Sequence, residues 1–115
     1  MTGQAQWPYG LSDAAERDYR DILAWTAMTF DAAQADRCND ALRTTLARLG
    51  KGPRAPGVLS HEELAPGLRA IRVKIGRRKG RHIVFFTVAE SAREIIILRI
   101  LHDAMDPGRH IPASD

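Results

Sequence analysis

Two histidines and two aspartates lie within nine residues near the end of the chain, in the stretch ILRILHDAMDPGRH. His102, Asp103, Asp106 and His110 are of residue types that ligate metals or transfer protons. Their spacing matches no metal-binding motif, and Cys38 is the sole cysteine, so no thiolate cage can form. A histidine at a strand end commonly satisfies its ring nitrogens through backbone groups, and an aspartate before a proline suits a turn or a helix cap. We therefore expect a strand end and a turn here, with no metal and no cofactor.

A second chemical feature is the basic segment RAIRVKIGRRKGR, residues 69–81. It holds seven of the chain's 17 lysines and arginines and no acid. Such a surface attracts phosphate backbones or an acidic protein partner, although basic turns also keep sheet edges soluble. The seven candidate binding residues are Arg69, Arg72, Lys74, Arg77, Arg78, Lys79 and Arg81.

The length and composition predict one domain. At 115 residues, with 44% hydrophobic and 27% charged residues, the chain can bury one modest core but not two. We expect a single domain over residues 1–115, with its core at about 6–102 and a tail at 103–115. The lone cysteine fits a reducing cytoplasm. No apolar run approaches the ~20 residues that span a bilayer, and the N-terminus lacks the pattern of a signal peptide.

Hydrophobic periodicity predicts two consecutive amphipathic helices. The first begins at Ser12 or Asp13, both suited to a helix N-cap, and repeats apolar side chains at helical spacing as far as Phe30. Asp31 is expected to end it and to cap the second helix, whose apolar face includes Cys38 as a small core residue. Because the link between them is so short, the two should form an antiparallel hairpin.

The period changes to that of strands in the second half of the chain. LRAIRVKI alternates apolar with basic residues, and GRRKG predicts a glycine-bounded hairpin turn after it. RHIVFFTV and EIIILRIL are almost continuously apolar, which predicts central strands of a sheet covered on one face.

These elements define the predicted fold. A short strand over residues 6–11 precedes the helices, and an irregular loop rich in proline and glycine spans residues 50–67. The order is β-α-α-β-β-β. We predict an α+β two-layer domain in which the helical hairpin packs on a three- to four-stranded antiparallel sheet.

Five stretches of the sequence follow one another in an order shared with a known family. They are LSDAAERDYRDI (Leu11–Ile22), QADRCNDALRTTLARL (Gln34–Leu49), LAPGLRAIRV (Leu64–Val73), GRHIVFFTV (Gly80–Val88) and IIILRILHDAMDP (Ile95–Pro107). In order and spacing they resemble the ParE toxins of the RelE/ParE superfamily, the toxic components of bacterial type II toxin–antitoxin modules. The chain departs from the family at Phe86, where a tyrosine is common, and in its longer, more basic GRRKG turn.

The resemblance implies a small cytoplasmic bacterial toxin with a RelE/ParE-like fold, held inactive by a ParD-like antitoxin. Toxins of this type act on DNA gyrase by binding and perform no chemistry of their own. Antitoxin tails that fold on binding are typically acidic, which matches the basic strand face of this chain. Trp7, Trp25, Met28 and Phe30 suit either the core, which is favoured for each singly, or a groove for an antitoxin helix. Trp25 lies one step off the apolar stripe of its helix and is the best candidate among them for an exposed aromatic anchor.

Two alternatives stay open at this point. RelE-like relatives share the fold but cleave mRNA on the ribosome, and Arg69, Arg81 and His102 would then supply the cations and the proton donor. The chain has no tyrosine after Tyr19, so the C-terminal tyrosine acid of such enzymes is missing. The other alternative is a toxin fold that has lost its potency, for which Phe86 in place of the tyrosine is the only hint.

Overall fold

The computed structural model describes residues 6–111, which form two layers, helices on a sheet. No helix among these residues has the length and apolar character needed to cross a membrane. A short 3-10 turn (Leu49–Lys51) follows the second helix. The elements are β1 (Tyr9–Leu11), α1 (Asp13–Thr29), α2 (Ala32–Arg48), β2 (Val58–Ser60), β3 (Arg69–Ile75), β4 (Arg78–Ala89), β5 (Glu94–His102) and α3 (Pro107–His110).

The predicted fold class is confirmed, with two corrections to the sheet. The described strands form one five-stranded sheet in the order β1-β5-β4-β3-β2, one strand more than expected. The sheet is also mixed, because β1 runs parallel to β5 while the other pairs are antiparallel. The added strand, β2, has three residues within the predicted loop, too few to show a period, and it forms by pairing with β3.

The helices begin where the sequence predicts. Ser12 caps α1, since its hydroxyl oxygen accepts a hydrogen bond from the Ala15 N–H at 3.1 Å. Asp31 caps α2 by accepting one from the Gln34 N–H at 2.7 Å. Both caps satisfy amide groups that a helix start leaves without partners. The short link between the helices then folds them back on each other over the sheet.

The main core lies between the helical hairpin and one face of the sheet. Cys38 is 8% exposed within it, which confirms that it is a small core residue. Phe86, at the position where the family commonly has a tyrosine, is fully buried in the same core. The largest members of this cluster are Leu42, Leu46, Leu49, Ile71, Phe86, Ile95, Ile97 and Ile100.

The opposite face of the sheet carries a second, smaller core that the sequence does not predict. Phe85 and Leu101 are buried there because alternate residues of a strand point to opposite faces. Leu68, from the loop before β3, covers them. Ile111, which lies beyond the expected core limit at residue 102, is 8% exposed in the same cluster. The apolar runs of β4 and β5 are therefore covered on both faces at their centre.

The hairpin turn between β3 and β4 is shorter than predicted. Ile75 pairs with Arg78, so only Gly76 and Arg77 form the turn, and the rest of the GRRKG stretch continues β4. Gly76 has a φ of +63°, and a positive φ at the first central residue alone is the pattern of a type II′ turn. This turn matches the twist of the two strands, which lets the basic residues continue the sheet as a ribbon.

Candidate functional site

Residues 72–81 of the β3–β4 hairpin extend past the neighbouring strands, and we call them the basic ribbon. β2 pairs only with residues 69–71 of β3, and the β5 ladder reaches β4 only from His82 onward. One further hydrogen bond, from the Asp103 N–H to the Arg81 carbonyl, measures 2.7 Å. The tip of the ribbon is therefore two strands wide, with no third strand on either side among the described residues.

Two lysines face each other near the tip of the basic ribbon. Lys74 and Lys79 are direct cross-strand partners, so their side chains lie on the same face. Like charges in this position destabilise a hairpin. Within residues 6–111, neither these lysines nor Arg77 and Arg78 form a salt bridge. The fold thus leaves four positive charges at the tip without an acidic partner in the described part of the chain.

The two arginines at the base of the ribbon share one carboxylate. Arg72 donates to Asp103 Oδ2 at 3.2 Å and to the Gly80 carbonyl at 3.0 Å, and Arg81 donates to Asp103 Oδ1 at 3.3 Å. Burial of Asp103 acts to raise the pKa of its carboxyl, but the hydrogen bonds from Arg72 and Arg81, together with nearby charges such as that of Arg81, lower this pKa below its usual value. Asp103 is therefore a brace that fixes these two cations.

His102 is next to this brace, and His82 lies across from it. The His102 Nδ1 accepts a hydrogen bond from the Ala104 N–H at 3.0 Å, which confirms the expectation of backbone satisfaction. Because Nδ1 is then an acceptor, its 3.4 Å separation from Asp103 Oδ1 is not an ion pair. The His82 and His102 rings pack edge to face with centroids 5.5 Å apart. Burial, and then the neighbouring His102, lower the pKa of His82.

These two histidines line a groove between α1 and the end of the sheet. The groove has a volume of about 430 Å³, and its wall is more apolar than polar. Ile22 and Trp25 form its helix side, and Met105 closes the end beyond β5. A groove with apolar walls and a few polar groups suits an apolar side chain of a protein partner.

Trp25, the best candidate for an exposed aromatic from the helix pattern, lies at the mouth of this groove. Trp25 is 58% exposed, and its ring packs edge to face on Phe30 with centroids 5.9 Å apart. Met28 beside them is 87% exposed. Together the three residues form an apolar patch at the end of α1, and contiguous apolar patches of this kind are typical of interaction surfaces.

The three residues of the nuclease hypothesis do not converge on one point. Arg69 donates to the Pro53 carbonyl at 3.2 Å, at the far side of β3. Its cross-strand partner is Phe86, whereas the partner of His102 is His82, four positions away along β4 and hence on the order of 13 Å. Arg81 and His102 do meet at Asp103, but Arg69 stays apart from them.

The remaining polar residues of the ILRILHDAMDPGRH stretch have structural partners. Asp106 caps α3 by accepting from the Gly108 N–H at 3.0 Å. The His110 carbonyl accepts from Arg99 at 3.0 Å. Among residues 6–111, no group of three or more histidine, cysteine, aspartate or glutamate side chains is placed to hold a metal.

Two features of this region escape analysis of the sequence. His82 carries no motif as a histidine at the start of an apolar strand, and only the pairing of β4 with β5 brings it into contact with His102. Asp18 and Arg99 were also missed, since their hydrogen bonds join residues 81 positions apart. A long-range pair of this kind has no local pattern.

Comparison with known proteins agrees with the architecture. The structure superimposes on a structure described as the chromosomal ParDE TA system from P. aeruginosa, with a TM-score of 0.69 and 18% identity, covering 84% of this chain and 96% of that one. It also superimposes on the toxin–antitoxin complex RelBE2 from Mycobacterium tuberculosis, with a TM-score of 0.57 and 16% identity, covering 85% of this chain and 99% of that one. At these identities the likeness defines a class, the RelE/ParE fold.

Sequence comparison identifies the family within this fold class. Residues 9–107 match the family described as the ParE toxin of the type II toxin-antitoxin system, parDE. The chain is also 32% identical over 100 residues to Toxin ParE of Escherichia coli, covering 85% of this chain and 86% of that protein. The chain therefore belongs to the ParE toxin family, as the five stretches of sequence predict.

Proposed function

We propose that this toxin inhibits DNA gyrase by binding it in the cytoplasm, performs no chemistry of its own, and is neutralised by a ParD-like antitoxin. Membership of the ParE family carries the proposal. Because fold alone does not decide function, the arrangement of the site must also be consistent with the proposed function.

Three observations at the site support a binding mechanism over a catalytic one. Arg69 is remote from His102. Asp103 neutralises part of the charge of Arg72 and Arg81, which a nuclease would need for its phosphorane. No tyrosine follows Tyr19, so a tyrosine acid of the kind expected in RelE-like enzymes is missing and only His102 remains for that role.

The antitoxin, in this proposal, covers the groove and the apolar patch at the end of α1. Trp25 and Phe30 offer large rigid rings to a partner, and the groove beside them accepts apolar side chains. A tail that folds as it binds would cover both with one amphipathic helix. The exposure of Met28 fits this assignment, because unbranched methionines adapt to partners.

A supercoiling assay tests the proposal. Purified toxin is added in excess to gyrase, ATP and relaxed plasmid, and the products are separated on an agarose gel. We expect supercoiling to stop, and to resume when the toxin is first mixed with the product of the neighbouring antitoxin reading frame. A topoisomerase that only relaxes DNA is the control and should be unaffected. Normal supercoiling at excess toxin would contradict the gyrase assignment.

A RelE-like mRNA endonuclease is the second candidate, and one contact favours it. Arg81 and His102 both approach Asp103, which places a cation and an imidazole side by side. Primer extension on translated mRNA tests this. Cleavage that disappears in both Arg81→Ala and His102→Ala, but persists in the exposed control Arg109→Ala, would establish the nuclease. Toxicity that survives in all three variants, with no cuts in the mRNA, would exclude it.

A further inference from the structure

We infer that the basic ribbon, residues 72–81, binds the phosphate backbone of duplex DNA. The inference rests on the proposed function in one respect: gyrase works on duplex DNA, so a protein bound to gyrase lies close to that polyanion. The evidence for a nucleic-acid surface comes from the ribbon itself.

The first argument is the uncompensated charge. Lys74 and Lys79 are direct cross-strand partners, an arrangement that costs stability in the free protein. Arg77 and Arg78 at the turn also have no salt bridge within residues 6–111. A polyanion would relieve this repulsion, and neutralised phosphates release their counterions, which drives binding.

The second argument is composition, which favours nucleic acid over protein. Protein interfaces have apolar or aromatic centres in which lysine is depleted, and their arginines are enriched beside such apolar surface. The tip of the ribbon carries four cations, and Ile75, 38% exposed, is its one large apolar side chain. An acidic protein could satisfy the charge of this tip, but it would find almost no apolar surface to bury there.

The third argument is shape, which favours DNA over RNA. The tip is two strands wide because β2 and the β5 ladder stop short of it. The major groove of B-form DNA admits a two-stranded ribbon, whereas the major groove of A-form RNA is too deep and narrow for side chains to enter. The brace formed by Asp103 with Arg72 and Arg81 fixes the base of the ribbon, so binding at the tip orders little additional backbone.

Fluorescence anisotropy with the purified full chain tests the inference. The probes are a labelled DNA duplex of arbitrary sequence, an RNA duplex of the same sequence, and a polyglutamate peptide of matched charge, each over a range of salt concentrations. We expect the DNA duplex to bind most tightly, with an affinity that falls as salt rises. The double variant Lys74→Gln/Lys79→Gln should reduce the affinity about tenfold or more and the magnitude of the salt slope by about 1.8, since each phosphate contact contributes about 0.9.

A matched control separates the ribbon from net charge. Arg17→Gln/Arg20→Gln removes the same charge from the exposed face of α1 and should leave DNA affinity nearly unchanged. A single Lys74→Glu variant places a carboxylate opposite Lys79, so its melting temperature should hold or rise while its DNA affinity falls. Loss of binding caused by unfolding would instead lower the melting temperature, and circular dichroism distinguishes the two.

Several results would overturn the inference. These are no binding to the DNA duplex, tighter binding of the RNA duplex or of polyglutamate, and an equal loss of affinity in the α1 control. Because gyrase is absent from the assay, the two proposals fail separately. If the toxin inhibits gyrase but does not bind DNA, only the inference about the basic ribbon fails. If it binds DNA but supercoiling stays normal, only the gyrase proposal fails.

Discussion

Asp18 on α1 and Arg99 on β5 form a bidentate ion pair between the helix layer and the sheet. Arg99 Nε donates to Asp18 Oδ2 at 2.7 Å, and Nη2 donates to Oδ1 at 2.9 Å. Asp18 Oδ2 also accepts the Ile100 N–H at 2.9 Å, on the part of β5 that β1 does not cover. Arg99 reaches the His110 carbonyl as well. One pair therefore joins the helix layer, the open strand edge and the C-terminal segment.

Removing Asp18 should destabilise the fold by about 2–3 kcal/mol. Asp18→Ala leaves the Arg99 guanidinium and the Ile100 N–H without their carboxylate, and both groups are partly buried, with the Arg99 side chain 22% exposed. Urea unfolding gives the free energy. Asp21→Ala on the same helix is the control, because this exposed carboxylate has no salt bridge among residues 6–111, and it should change the free energy by no more than about 0.5 kcal/mol. Equal losses in the two variants would contradict this role of the pair.

Gly80 is required by the close approach of β4 to β3. A Cβ atom at this position would lie 2.7 Å from the Val73 carbonyl oxygen, a backbone atom that cannot turn away. We expect Gly80→Ala to cost about 1–3 kcal/mol in unfolding free energy, because the strands must separate locally. Gly10→Ala is the control, since its Cβ would meet the Glu94 carboxylate at an ordinary 3.6 Å. A Gly80→Ala variant as stable as this control would show that the ribbon tolerates a shift here.

Trp25 should matter more for antitoxin binding than for stability. Its ring is 58% exposed, so Trp25→Ala should cost only about 1–2 kcal/mol in unfolding free energy. As an anchor in the proposed interface, it should weaken antitoxin binding by about 30-fold or more, measured by titration calorimetry. Leu59→Ala, at a 66% exposed position on β2, should leave the affinity unchanged. Equal affinities for the two variants would place the antitoxin elsewhere.

The sequence predicts the parts of the fold that have a local pattern. The helix caps at Ser12 and Asp31 and the apolar strands all carry their signals within a few residues. The exposure of Trp25 follows from its offset on the helix stripe. Each of these features depends on neighbours that are near in sequence, so periodicity and propensity are sufficient to find them.

The parts that the sequence does not predict depend on distant contacts. β2 has no pattern of its own and exists because β3 offers it an edge. The second core needs Leu68 and Ile111 to meet Phe85, which only the folded sheet brings about. The same reason explains why the candidate site is only partly predictable. The basic ribbon is visible as a run of charge, whereas the brace at Asp103 needs β3, β4 and the residue after β5 to lie side by side.

His82 should make the stability of the protein depend on pH in weakly acidic solution. Burial, followed by repulsion from His102, lowers the pKa of His82 below the ordinary 6.5, against a smaller opposing effect of Asp103. The other charged residues that line the groove beside His82 are Asp18, Asp21 and Arg99. As the pH falls below about 6.5, the unfolded chain takes up a proton at this position more readily than the folded chain does, so the free energy of unfolding decreases until the folded pKa is passed.

His82→Gln should therefore flatten the decrease in stability between about pH 6.5 and pH 5, as measured by urea unfolding at closely spaced pH values. His61→Gln, at a ring that packs on Phe85 away from the groove, is the matched control and should keep the decrease, because His82 is still present. Asp103 does not contribute to this pH dependence. Because its pKa is lowered in the folded protein, the stabilisation that it provides is lost only at pH values below its ordinary pKa of 3.8. The His82→Gln variant could instead lose stability over this range as steeply as the unmodified protein. In that case His82 is not the source of the pH dependence, and its contact with His102 serves only for packing.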